Sequence, residues 1–100
     1  MGWADAHVDR LRHGETVAFR PRGNSMTPRI RSGQLCTLEP TVAPSAGDVV
    51  LCKVSGRVYL HLVRAIRRQG ESSSYLIGNA HGGTNGWTTT VYGKLVRVDP

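Results

Sequence analysis

The chain is built from short runs rich in Val, Leu, Ile, Tyr and Thr, each broken after a few residues by glycine, proline, asparagine or serine. Such punctuation leaves little room for long helices and favours antiparallel strands joined by turns. Val17 and Phe19 alternate before Pro21 and Gly23 break the run. Gly33 opens QLCTL, and EPTVAPSAG then supplies small residues and two prolines before DVVLCKV resumes the β pattern. Ser55-Gly56 reads as a hairpin turn, and RVYLHLVRAIRR beyond it is the longest β-rich run, expected as the central strand. QGESSS reads as the next turn, YLIGN as a returning strand, AHGGTNGWTTT as a glycine-rich loop and KLVRV as a last strand.

Helical spacing occurs once. Between Trp3 and His13, Ala4, Val8 and Leu11 fall on one stripe, and Gly14 ends it. The segment is too short for a helix-turn-helix, and no helical patterns separate the strands as βαβ units require. The expected fold is mainly β: six or so strands in a small, partly closed, antiparallel barrel-like sheet with a short N-terminal helix. One hundred residues make one domain, 1–100, with a helical segment at 1–14 and a β module at 15–100.

Composition excludes several classes. An apolar content of 39% contains no run near the roughly 18 residues of a membrane span. The start has scattered charges, no apolar signal region, and Ala6 where a myristoylation motif wants Ser or Thr. Cys36 and Cys52 lie in strand-like runs and read as small buried hydrophobes, since two thiols are a weak disulfide or metal signature. No metal or cofactor is expected, and a reducing cytoplasm is the default compartment. The net charge of +6 suits a polyanion, but the arginines are scattered from Arg10 to Arg97 with no basic arm, as on a generally solvated surface.

Two residues suggest chemistry only when read together. A serine hydroxyl attacks a carbonyl only if a base takes its proton. Ser25 stands in the turn GNSMTPRI, where glycine permits close backbone approach and exposed amides could face an oxyanion. Alone it reads as a turn or cap residue. His61 shares a strand face with Tyr59, Val63 and Ala65, opposite Val58, Leu60 and Leu62, and alone reads as a core histidine.

The stretch GNSMTPRIRSG, however, resembles the G-x-S-M-x-P-x-I-x-x-G box of LexA-like and type I signal-peptidase-like serine peptidases. AGDVVLCKV resembles that family's G-D-V-V strand, VYLHLVRAI the strand bearing its general base, and Gly78 and Gly93-Lys94 its later landmarks. The likeness runs from Val17 to Val98. It implies Ser25 as nucleophile, His61 as base, an oxyanion-binding region at the Ser25 amide and the backbone near Gly23, and an oxyanion turn of Gly23, Asn24 and Met26 that Met26 and Pro28 shape. Bacterial members commonly use lysine as base; histidine resembles the endoplasmic-reticulum and archaeal branch, and Lys53 and Lys94 lie elsewhere in the boxes.

There are two departures. The later box, usually G-D-N, reads GNAHGGTN, and no acid lies between Glu71 and Asp99. Either a simple Ser-His dyad operates, or Asn79 or Asn85 orients His61, as an asparagine does in papain-like peptidases; His81 is a reserve polar candidate. Gln34 replaces the aspartate that often follows Gly33, a matter of the turn.

The resemblance implies a serine endopeptidase that cleaves a peptide, leader or precursor through an acyl-enzyme. Substrate would add along a strand edge, with shallow pockets near Phe19, Arg20 and Met26 taking small side chains. The chain lacks the membrane anchor of signal peptidases and the DNA-binding domain of LexA-like repressors, and so reads as the bare module. The alternatives are an inactive peptide-binding relative and a small basic β-barrel that binds nucleic acid through its charge and Trp3, Tyr59, Tyr75, Trp87 and Tyr92, the less favoured partner.

Overall fold

The computed structural model describes residues 2–100. One helix, α1 (Asp5–Arg12), precedes seven strands: β1 (Val17–Phe19), β2 (Leu35–Pro40), β3 (Val49–Val54), β4 (Arg57–Gln69), β5 (Ser72–Gly78), β6 (Thr84–Thr88) and β7 (Thr90–Asp99). All pair antiparallel in one sheet of order β1-β2-β7-β3-β4-β5-β6. The ladder does not close: β1 and β6 are its edges. It does curl, because Thr88 Oγ1 on β6 donates to the Lys53 carbonyl on β3 at 2.5 Å.

Three expectations change. The loop expected over 80–90 contains β6, which pairs Leu76 with Trp87 and Gly78 with Thr84. The longest strand, β4, is not central; β3 holds the middle of the sheet. The reason is burial on both faces. Val49 and Leu51 enter one core with Ala4, Leu11, Val17, Leu38 and Leu60, while Val50, Cys52 and Val54 enter a second with Val63, Tyr75, Ile77 and Val91. A strand covered on both sides needs a continuous apolar run rather than alternation, which is what VVLC provides. Finally, α1 is shorter than Trp3–His13. It ends when Gly14 N–H donates to the Leu11 carbonyl and Glu15 N–H to that of Arg10, each at 3.0 Å, the pair of bonds that closes a Schellman end.

Alternation along β4 holds only to a bulge. Leu60, with Val58 and Leu62 against it, faces the first core, while Val63 and Tyr59 face the second. The register then slips between Val63 and Ala65, so Ile66 returns to the Val63 side. The β3–β4 hairpin turns at Ser55 and Gly56, whose φ values of 49° and 83° are those a two-residue type I′ turn demands. Cys36 and Cys52 are buried free thiols. Among the described residues no helix is long and apolar enough to cross a membrane.

Candidate active site

Ser25 lies in the long connection between β1 and β2, a segment held from below. Met26 and Ile30, each only 4% exposed, sink into the first core and leave Ser25 exposed beside them. Between these anchors the chain turns tightly: Thr27 N–H and Oγ1–H both donate to the Asn24 carbonyl, at 3.2 and 3.0 Å, and Ile30 N–H donates to that of Met26 at 3.0 Å. The Thr27–Pro28 peptide is cis. Gly33 N–H closes the connection onto the Pro21 carbonyl at 2.9 Å, and Gln34 Oε1 accepts from Arg31 N–H at 2.7 Å, which places Gln34 in the turn.

The same turn is clasped from the far end of the chain. Ala80 N–H donates to the Ser25 carbonyl at 2.9 Å, and His81 Nε2 lies 3.0 Å from the Asn24 carbonyl and 3.3 Å from Thr27 Oγ1. Asn79 organises this β5–β6 loop: its Oδ1 accepts from His81 N–H at 2.8 Å and Gly83 N–H at 3.0 Å. Its oxygen is thereby committed to the loop backbone and not to His61.

His61 is on β4, opposite Val50 of β3, with the Tyr59 ring stacked against it at 5.1 Å. Its Nε2 is 3.0 Å from Ser25 Oγ, and its Nδ1 is 2.7 Å from Asn85 Oδ1. The asparagine oxygen can only accept, so Nδ1 carries the proton and the Nε2 lone pair faces the serine hydroxyl. Asn85 reaches the ring because of a bulge: Ile77 pairs with Gly86 and Gly78 with Thr84, so Asn85 is the extra residue. A bulge re-aims the side chain it carries.

Gly23, Asn24 and Met26 flank the serine. The amides of Ser25 and Met26 donate to no group among the described residues. A groove of about 530 Å³ runs past this pair, and Phe19, Arg20 and Met26 all line it. So do Trp3, just before α1, and His7 on it, neither of which the sequence reading placed at the site. Their four-residue spacing, on a stripe beside Ala4, Val8 and Leu11, was the available signal. His7 stacks on Phe19 at 4.4 Å and Trp3 tilts against it at 5.6 Å. Burial, and then the nearby Arg10 charge, lower the pKa of His7.

Of the aromatic set considered for nucleic acid, Tyr75 is buried in the second core, Trp3 and Tyr59 line the groove, and Arg67 covers the Trp87 ring at 4.4 Å. Among the described residues no three His, Cys, Asp or Glu side chains gather as metal ligands do.

A mainly β module with a serine-bearing turn facing a strand-borne histidine belongs to the LexA-like and signal-peptidase-like class. Residues 3–78 match the model of the Peptidase S24-like family, and the chain is a member of that family. The match takes in Ser25 and His61 and stops short of Asn85. No curated protein matches the chain.

Proposed function

We propose that this protein is a serine endopeptidase in which Ser25 is the nucleophile, His61 the general base and Asn85 the residue that positions the imidazole. The observation that carries the reading is the relay Ser25 Oγ, His61 Nε2, His61 Nδ1, Asn85 Oδ1, with separations of 3.0 Å and 2.7 Å across its two contacts. As Oγ attacks the scissile carbonyl, its proton passes to Nε2, and the Asn85 oxygen holds the ring in the one tautomer that can accept it. The free amides of Ser25 and Met26 face the developing oxyanion. His61 then returns the proton to the leaving amine, the acyl-enzyme forms, and water activated by the same ring releases the acid product. Asparagine orients without adding charge, so the imidazolium formed in the transition state receives less electrostatic support than an aspartate gives.

The test is covalent. A fluorophosphonate probe should label the folded wild type at Ser25, and Ser25→Ala and His61→Ala should each abolish labelling while keeping the far-UV spectrum. Absence of labelling in folded wild-type protein across neutral to mildly alkaline pH defeats the proposal and leaves a peptide-binding module.

A further inference from the structure

The groove that holds Ser25 and His61 carries charge of one sign. Its lining includes Arg20 and Arg22 and neither aspartate nor glutamate. Arg20 is engaged already, its Nη1 donating to the Gly33 carbonyl at 2.8 Å and the Pro100 carbonyl at 3.3 Å. Arg22 is exposed and has no ion-pair partner among the described residues, where the three pairs are Arg10–Glu15, His13–Asp9 and Arg97–Asp99.

A lone surface arginine is ordinarily just solvated, so placement has to distinguish this one. The wall of the groove follows the chain from Phe19 through Arg22 to Ser25. Three residues span at most about 10 Å, so Arg22 lies within reach of a substrate side chain some two or three residues from the scissile bond. Three residues in the other direction, Phe19 meets Trp3 and His7, and Trp3 is 57% exposed. A free guanidinium on a concave wall favours a carboxylate, and partial exclusion of water strengthens the pair.

We infer that the groove selects acidic peptides: a substrate carboxylate pairs with Arg22 within about three residues of the scissile bond, and an apolar side chain farther along covers Trp3 and Phe19. This rests on Ser25 and His61 being the reacting pair, and cleavage and binding are therefore tested separately. A synthetic pool of random decapeptides is incubated with wild-type protein and its cuts are mapped by mass spectrometry. The same pool, immobilised, is sorted for binding to Ser25→Ala.

Cut and bound peptides should be enriched in Asp and Glu at low salt, by about fivefold as suits a partly exposed ion pair, with the enrichment fading as salt rises. Arg22→Glu should turn the preference toward Lys and Arg, whereas Arg68→Glu, an equal charge change on the β4–β5 hairpin, should not. Cleavage without acidic enrichment, or enrichment that survives Arg22→Glu, overturns the inference and leaves the peptidase reading standing. Arg22-dependent acidic binding without any cleavage keeps the inference and defeats the peptidase reading. Absence of both cleavage and acid-selective binding overturns it.

Discussion

Asn85 Oδ1 and His61 Nδ1 lie 2.7 Å apart, joining the edge strand β6 to β4 through a residue that a bulge turns toward the ring. Under the proposed function this contact sets the tautomer of the base, so removing it should disorder the His61 ring without touching the groove that Phe19, Arg20 and Met26 line. Asn85→Ala is expected to lower kcat on the order of tenfold to a hundredfold with little change in KM. Asn85→Asp keeps the acceptor and adds charge that stabilises the imidazolium; activity should persist and its onset should move to higher pH. An Asn85→Ala enzyme with wild-type kcat and pH profile would show that the ring needs no positioning.

Gly78 closes β5 just before the loop that clasps the serine turn. A Cβ there would stand 2.5 Å from the Gly83 carbonyl oxygen and 2.5 Å from Arg64 Cδ. The arginine stem can swing aside, but the backbone oxygen cannot. Gly78→Ala should therefore cost about 1–3 kcal/mol in stability, as overpacking does. It should also lower activity beyond what the unfolded fraction explains, because Asn79 to Gly83 carry the Ala80–Ser25 bond. Denaturant unfolding read beside kcat separates the two effects.

His7 ties acid stability to α1. Its folded pKa is lowered from 6.5, chiefly by burial and then by Arg10. The unfolded chain thus binds the proton more readily, so unfolding takes up a proton and stability rises with pH. This contribution is present above the ordinary histidine value and is lost as pH falls through the lowered one. His7→Leu should flatten the acid-side fall of Tm; identical Tm profiles for the two proteins would place the dependence elsewhere.

The thiols should be silent. Burial pushes the Cys52 pKa up to about 12 and raises that of Cys36, and only the thiolate reacts. Iodoacetamide at pH 8 should modify neither cysteine in folded protein and both in denaturant. Rapid modification of the native protein would mean that the β3 core opens.

Which parts of this molecule could be read from residues alone follows from how local their causes are. The alternation of Val17 with Phe19, the Ser55-Gly56 turn and the Ala4, Val8, Leu11 stripe are set within a few residues, and each marks its element. β6 was not legible: Thr84, Trp87 and Thr88 favour strands, but Asn85-Gly86 between them and Gly82-Gly83 before them read as turn, and the segment is a strand because β5 offers it a partner. The centre of the sheet was misplaced for a related reason, since strand length is visible in a sequence while burial on both faces is not. At the site, Ser25 and His61 were singled out by likeness to a family box, not by periodicity. The choice between Asn79 and Asn85 depends on a register slip after Ile77 that no local pattern encodes. Neither Trp3 nor His7 was placed at the site: Trp3 entered only the aromatic set, and His7 stood outside the apolar stripe of Ala4, Val8 and Leu11.

The sheet order carries one more consequence. The serine turn leads into β2, the histidine rides on β4, and between β2 and the β3–β4 hairpin lies β7, which follows both in the chain. A chain emerging stepwise during synthesis therefore holds Ser25 and His61 before it holds the strand that links their two parts of the sheet. Whatever contact Ser25 and His61 make across the sheet therefore waits on β7 to join the two halves.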